Sequence, residues 1–254
     1  MIKKVESVSQ IKKEMFAMPW SIYPYANFLR YGVDKDFYSL YLVDDVLFTK
    51  YHDSVQVCSK AIGELQAKEI SSFVLDNNIR MVSGPTESLE KIFALLGKGR
   101  IENGHIFELD SFNNSCVSNI TLATEIKIFK EIAVLVCDAN SSNTGYYGLE
   151  QYFDQIYSRY SEGYCRNWIY IVNRKIVGHI ATYAEAEGYA VLGGLAVDKD
   201  YRGQGIAKAL LNNAINDMKS ENKKSYAFCY NHNLLGFYSK ISKSSFKSSK
   251  IMLK

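Results

Sequence analysis

The chain has 254 residues, of which 47% are hydrophobic and 22% are charged, and its 30 basic and 27 acidic side chains give a net charge of +3. This composition is typical of one large or two small globular domains, which excludes a disordered or fibrous chain, and the apolar runs are far shorter than the roughly 20 residues of a membrane span. Only seven of the basic residues are Arg, which disfavours a nucleic-acid partner. The N-terminal residues lack the apolar core of a signal peptide. We therefore expect a cytoplasmic protein with no membrane partner.

The first half of the chain, residues 1–113, is predicted to form an α/β domain of its own. A strand-forming stretch at 80–83 is followed by Gly84-Pro85 and an amphipathic helix at 86–96, and Pro is favoured at the start of a helix. The same layout returns at 190–219. Two interpretations stay open: a degenerate copy of the second half, or an unrelated α/β cap. Glycines and a polar string place the boundary near 113.

The second half, residues 114–254, alternates predicted strands and helices, which indicates an α/β layer domain. Its elements are, in order, a strand at 117–122, helices at 126–136 and 149–160, strands at 168–172 and 176–183 joined by a tight turn, a strand at 189–197, a helix at 205–219, a strand at 226–230 and a short helix at 234–241. Gly193-Gly194 inside a strand predicts a bulge or a close approach of another backbone. The last 36 residues carry eight Lys and one acid. Because the lysines are spread over a predicted helix end and two loops, a solvated surface is the favoured interpretation, and attraction of ligand phosphates or an acidic partner is the alternative.

The cysteines and histidines do not predict a metal or disulfide site. The five cysteines are odd in number and contain no Cys-x-x-Cys: Cys58, Cys116, Cys137, Cys165 and Cys229. In a cytosolic chain this usage is typical of reduced, packed thiols. The four histidines have no ligand spacing with each other or with a cysteine, so no metal is expected.

One segment of the second half combines residues that suit anion binding. A predicted strand ends at Val197, the chain passes Arg202, Gly203 and Gly205, and a helix begins at once. Glycine lets the backbone approach an anion closely, and the first amides of a helix have no partner within the helix. The third glycine of a dinucleotide fingerprint is replaced by Lys208, and no P-loop motif is present. The segment therefore predicts a phosphate site of another kind.

The stretch Arg202-Gly203-Gln204-Gly205-Ile206-Ala207 resembles the Arg/Gln-x-x-Gly-x-Gly/Ala acyl-CoA loop of the GNAT superfamily of N-acetyltransferases. The spacing from Val197 to Arg202 and the order of elements from residue 116 onwards also resemble that superfamily. The resemblance implies a GNAT-like mixed sheet flanked by helices, with a second α/β domain at the N-terminus, and acetyl-CoA as co-substrate. It implies cofactor contacts from Leu195, Ala196, Val197, Arg202, Gly203, Gln204, Gly205, Ile206, Ala207 and Asn231.

The resemblance also implies the catalytic acid. Superfamily members often have an Asn seven residues before a Tyr, and Asn231 and Tyr238 stand at that spacing. By analogy, Asn231 contacts the pantetheine arm and Tyr238 protonates the departing CoA sulfur, since a phenol is protonated at pH 7. The family usually continues to a Gly-Phe pair, whereas this chain has Ser242-Lys243.

The acceptor side of the site is less defined. An alkylamine must lose a proton to attack, and Glu185, at the end of a predicted strand, is the candidate base; the alternative is a solvated hairpin acid. His179 is interpreted as a core histidine. Tyr146 and Tyr147 are candidates for an aromatic wall of the acceptor cleft.

These observations predict direct transfer of an acetyl group from acetyl-CoA to an amine of a small molecule or peptide, held between the two domains. The alternative is an inactive acyl-CoA-binding sensor or scaffold, suggested by the altered Ser242-Lys243 region. A weaker alternative is a nucleic-acid-associated module that uses the lysine-rich tail.

Overall fold

The structure is a computed structural model that describes residues 1–111, 119–139 and 148–253. The predicted boundary near 113 and the Tyr146–Tyr147 pair lie outside these residues. The α-helices that the structure describes are α1 Ile22–Tyr31, α2 Glu64–Asp76, α3 Thr86–Leu96, α4 Ile126–Ala139, α5 Leu149–Ser161, α6 Ile206–Ser220 and α7 His232–Ser239.

The β-strands are β1 Ile2–Lys4, β2 Asp34–Lys35, β3 Tyr38–Val43, β4 Val46–Tyr51, β5 Ser54–Val57, β6 Met81–Pro85, β7 Arg100–Leu109, β8 Ile120–Leu122, β9 Asn167–Val172, β10 Lys175–Ala186, β11 Tyr189–Val197, β12 Lys224–Cys229 and β13 Ser242–Met252. The predicted second-half elements from 126 to 241 all appear, with ends shifted by up to three residues. This agreement follows from the regular spacing of apolar residues in those segments.

The described chain divides into two compact units. The first comprises residues 1–107, 228–240 and 244–254, and the second comprises 108–227 and 241–243. The sequence-based division instead assigns everything after 113 to one domain. The difference has a physical cause: β13 pairs antiparallel with β6, from Ser248 opposite Pro85 to Met252 opposite Met81, so the C-terminal strand belongs to the sheet of the first unit.

The sheet of the first unit has the strand order β1-β3-β4-β5-β6-β13-β7, with β2 beside β3. The strands β3, β4 and β5 form an antiparallel meander, and β5 then runs parallel to β6. α2 connects the parallel strands β5 and β6 as α6 connects β11 and β12, so the strand–helix layout of 190–219 also occurs at 54–76. The interpretation of the first unit as a degenerate copy stays a prediction.

The lysines that the structure describes after residue 241 do not lie in a loop, so that part of the prediction is wrong. Residues Ser242–Met252 form β13, in which Ser248, Ser249 and Ile251 are buried. The Ser248 hydroxyl donates to Gly84 O at 3.1 Å, and Ile251 joins the apolar core of the first unit. Serine and lysine are uncommon in strands, which is why the pattern did not predict one.

The sheet of the second unit has the order β12-β11-β10-β9-β8. All neighbours are antiparallel except β11 and β12, which are parallel. The predicted tight turn joins β9 to β10 through Asn173 and Arg174, both with positive φ, as a two-residue hairpin of the favoured hand requires.

Helices cover both faces of this second sheet. The Trp168 indole donates to Asp217 of α6 at 2.7 Å, while its neighbour Ile169 packs in the apolar cluster of α4 and α5. Successive strand residues point to opposite faces, so α6 lies on one face and the α4–α5 pair on the other. Within the described ranges, no helix has both the length and the apolar character that crossing a bilayer would require.

Candidate active site

The predicted bulge in β11 is confirmed. Along the β10–β11 ladder His179 lies opposite Ala196 and Ala181 lies opposite Gly193, so β11 contains one extra residue between these pairs. Gly194 supplies it with φ of +64°, the left-handed conformation that a side chain disfavours. Gly193, Gly194 and Leu195 are half-buried, whereas the next residue, Ala196, is buried.

Tyr183 and Tyr152 pack against the bulge on the α4–α5 face of the sheet. A Cβ atom on Gly193 would lie 2.7 Å from the Tyr183 ring, and one on Gly194 would lie 2.7 Å from the Tyr183 hydroxyl and 3.0 Å from that of Tyr152. The two hydroxyl oxygens are 3.2 Å apart. The sequence analysis did not single out this hydroxyl pair. One signal was available: Tyr183 lies four residues after His179 on one strand, which places both side chains on the same face.

On the other edge of β11, its pairing with β12 stops early. β11 and β12 share three register pairs, from Tyr189 opposite Lys224 to Val191 opposite Tyr226. β11 itself continues to Val197. Within the described second unit, the backbone of β11 after Val191 therefore has a strand partner on the β10 edge alone. A strand edge of this kind can pair with an extended ligand.

The turn after β11 is held at its base by three contacts. The Asp198 carboxylate pairs with Lys175 at 2.7 Å, and it also accepts a hydrogen bond from the Asp200 amide. The Arg202 guanidinium donates through Nε to Val197 O at 3.1 Å. These contacts fix where the strand ends and where the glycine-containing turn begins.

The turn itself is built for a left-handed backbone. Gly203 and Gly205 have φ of +80° and +81°, and no described atom lies within 4 Å of the Cβ position of either residue. Gly205 is the N-cap of α6 and, being glycine, makes no side-chain capping hydrogen bond to the first amides of the helix. The first amides of a 15-residue helix thus lie next to an exposed turn, which is the arrangement that binds phosphate.

Asn231 and Tyr238 belong to the first unit. Asn231 is the N-cap of α7 and its side-chain oxygen accepts from the Asn233 amide at 3.0 Å, so the side-chain N–H₂ is the part it can present to a ligand. Tyr238 is 9% exposed, and its ring stacks on Phe107 at 5.7 Å. The predicted roles of these two residues stay predictions.

Glu185 lies at the end of β10 inside an ion-pair network. Its carboxylate accepts from Arg166 at 2.6 and 3.0 Å, from Lys223 at 2.7 Å and from Thr182 at 2.8 Å. Burial alone would raise the pKa of this carboxyl, but the hydrogen bonds from Arg166, Lys223 and Thr182 outweigh it and lower the pKa. A carboxylate with a lowered pKa is a weaker base, so the surroundings favour a structural role, and the base assignment stays a prediction.

Residues 134–242 match the sequence model described as the acetyltransferase (GNAT) family, and no curated protein matches. A GCN5-related N-acetyltransferase from Kribbella flavida aligns with a TM-score of 0.62 at 9% identity, covering 93% of this chain and 96% of its own. A GNAT-family acetyltransferase from Colwellia psychrerythraea gives 0.59 at 14% identity over 100% of both chains.

A third similar structure is a tandem GNAT protein from the clavulanic acid biosynthesis pathway, without acetyl-CoA. It aligns with a TM-score of 0.57 at 11% identity, covering 99% of this chain and 98% of its own. At these identities the alignments show the fold alone, and they extend over both units. The family match supports acyl transfer from an acyl-CoA donor as the activity of the chain.

The network around Glu185 predicts a pH-dependent contribution to stability. Glu221 accepts from Arg166 and Lys223, and hydrogen bonds from these two cations lower its pKa to about 2. A carboxyl with a lowered pKa stabilises the fold above its unfolded pKa, and this contribution is lost as the pH falls through the folded pKa. We expect Glu221→Gln to lower the thermal unfolding midpoint at pH 7, and the gap from wild type to close between about pH 4.5 and pH 2.

Thermal unfolding followed by circular dichroism at several pH values measures this gap. Glu131→Gln, at an exposed position of α4, is the control and is expected to change the midpoint little at any pH. A gap for Glu221→Gln that stays constant down to pH 2 would contradict the assignment.

Proposed function

From the GNAT acetyltransferase domain that the chain carries at residues 134–242, we propose that the protein transfers an acetyl group from acetyl-CoA to an amine of a small molecule or peptide. The observation that carries the proposal is the left-handed turn at Gly203 and Gly205, which delivers uncapped amides of α6 to an exposed surface. This turn directly follows a strand with one open edge. The combination suits a long ligand that has both a diphosphate and an extended amide-bearing arm.

The diphosphate of the cofactor is proposed to bind at the turn. The backbone N–H groups from Gly203 to Ala207 are the donors, and the positive end of the α6 dipole adds to the attraction. Arg202 donates only Nε to Val197 O, and a guanidinium has further N–H groups to offer an anion. Because the Cβ positions of both glycines are open, the ligand can approach the backbone without displacing protein atoms.

The pantetheine arm is proposed to lie along the open edge of β11. Its two amides can pair with backbone groups of Leu195, Ala196 and Val197 as a short additional strand would. The thioester carbonyl then lies at the bulge, where a backbone N–H polarises it and stabilises the negative charge that develops during attack.

In the proposed reaction the amine nitrogen bonds to the thioester carbon, the carbon–sulfur bond breaks, and the sulfur leaves as a thiolate. Tyr238 protonates the thiolate, and Asn231 contacts the pantetheine arm. Both roles rest on the resemblance of the Asn231–Tyr238 spacing to the family motif. Proton donation to the leaving group matters because a thiolate that is not protonated can attack the product again.

We propose one cofactor per chain, since the counterpart region of the first unit is filled by its own residues. At the start of α2 the Gly63 amide donates to the Gln66 side chain at 2.8 Å. A Cβ on Gly84 of β6 would lie 3.1 Å from Val57 of β5, so these parallel strands stay close. The end of β5 is covered by Ala17, whose amide donates to Cys58 O at 2.8 Å.

The first prediction of the proposal concerns the turn. Gly205→Trp is expected to weaken acetyl-CoA binding at least a hundredfold, measured by isothermal titration calorimetry, because the indole fills the space that the diphosphate needs. Gly188→Trp is the matched control: Gly188 also has a positive φ (+76°) and no described atom near its Cβ position, but it lies in the β10–β11 hairpin. Equal affinity of the two variants would contradict the assignment of the turn.

The second prediction concerns the acid. Tyr238→Phe is expected to lower kcat about a hundredfold, within the range of general acid catalysis, and to leave the Kd for acetyl-CoA nearly unchanged. Turnover is followed by release of free CoA with a panel of amines. Tyr157→Phe, which keeps an aromatic ring against Phe129 and Phe153, is the control with unchanged kcat. If Tyr238→Phe keeps full turnover, Tyr238 is structural.

A further inference from the structure

A buried histidine contacts the bulge in β11 on the same side as Tyr183 and Tyr152. His179 of β10 is 0% exposed, and its Nδ1 atom lies 2.8 Å from Gly194 O. Its Nε2 atom lies 2.9 Å from the carboxamide of Asn167, which is itself 1% exposed. The imidazole is therefore held from both sides, by one backbone group of the bulge and by one side chain of β9.

The chemistry of these partners fixes the protonation state of His179. A backbone carbonyl oxygen can only accept, so Nδ1 must carry a hydrogen. Burial lowers the pKa of His179 to about 4, so the ring is neutral at pH 7 and Nε2 is an acceptor. The carboxamide atom placed 2.9 Å from Nε2 is Asn167 Oδ1; since an acceptor at Nε2 needs a donor, we assign the carboxamide with its oxygen and nitrogen exchanged, so that its N–H₂ donates to Nε2. Asn167 thus selects the tautomer that donates to Gly194 O.

The hydrogen bond to Gly194 also sets the direction of the next amide. In a trans peptide the C=O and the following N–H point in opposite directions. Since Gly194 O points at the His179 ring, the N–H of Leu195 points away from that ring, in a part of β11 that has no register pair with β12. A glycine in a bulge can adopt several backbone conformations, and the contact with His179 selects one of them.

We propose that His179 is a positioning residue that fixes the Gly194 peptide and thereby directs the Leu195 N–H at the thioester carbonyl of the bound acyl-CoA. The inference rests on the proposed function, because it assigns a protein group to the acyl end of that cofactor. His179 does not contact the reacting atoms. It acts through one peptide group, and Asn167 acts through His179.

The test is difference infrared spectroscopy of acetyl-CoA labelled with ¹³C at the thioester carbonyl and bound to the protein. In the wild type, the carbonyl stretch is expected at a lower wavenumber than in free acetyl-CoA, because the Leu195 N–H polarises the bond. His179→Leu keeps a similar volume but no donor, so the band is expected to return towards the free position. His179→Asn places a carboxamide donor near the Nδ1 position and is expected to keep most of the shift.

The kinetics should follow the spectra. His179→Leu is expected to lower kcat by about tenfold or more, in keeping with loss of one oxyanion donor, with a nearly unchanged Kd for acetyl-CoA. His179→Asn is expected to recover most of the turnover. If His179→Leu does not fold, Asn167→Ala takes its place, because the ring then loses its orienting partner and the band should move part of the way back.

The outcomes separate this inference from the function on which it rests. A carbonyl band that is equally shifted in wild type and His179→Leu, or in wild type and Asn167→Ala, overturns the role of His179 while CoA release still supports acyl transfer. Equal loss of the shift in the Leu and Asn variants also overturns it, because the donor would not be what matters. Failure of the wild type to bind acetyl-CoA overturns both proposals.

Discussion

In the described part of the chain, one edge of β11 has no strand partner after Val191, and the N-cap of α6 makes no side-chain hydrogen bond to the first helical amides. The proposed function depends on these main-chain groups. Hydrogen-bonding groups of the main chain must be paired with something, and here the candidates are water or a ligand. β11 has no register pair with β12 after Val191, and α6 starts at Gly205 without a side-chain cap. Such main-chain groups therefore occur in two segments that follow each other along the chain. A cofactor with both amides and a diphosphate can satisfy both sets at once.

Other features of the second unit hold these groups in place. The Lys175–Asp198 pair and the Arg202–Val197 hydrogen bond fix the exit from β11, and His179 fixes the bulge from the buried side. The side chains therefore stabilise the conformation of a backbone surface, and in the proposed function this backbone surface recognises the ligand.

The sequence predicted the second unit well because its signals are local. The apolar period of α5 and α6 and the tight turn at Asn173 are read within about 15 residues. The Gly203–Gly205 motif is also a local signal, since a backbone φ near +80° favours glycine whatever the distant neighbours are. The features that sequence reasoning missed depend on partners distant in sequence. The strand β13 is recognisable only beside β6, more than 150 residues earlier, and the setting of Glu185 depends on Arg166 and Lys223.

The most direct measurement of the central claim is a crystal structure of the protein with acetyl-CoA. The account predicts that diphosphate oxygens lie within hydrogen-bond distance, about 3.2 Å, of main-chain nitrogens between Gly203 and Ala207, with the acetyl end at the β11 bulge. Density for the cofactor at another surface, with this turn occupied only by solvent or covered by protein side chains, would contradict it.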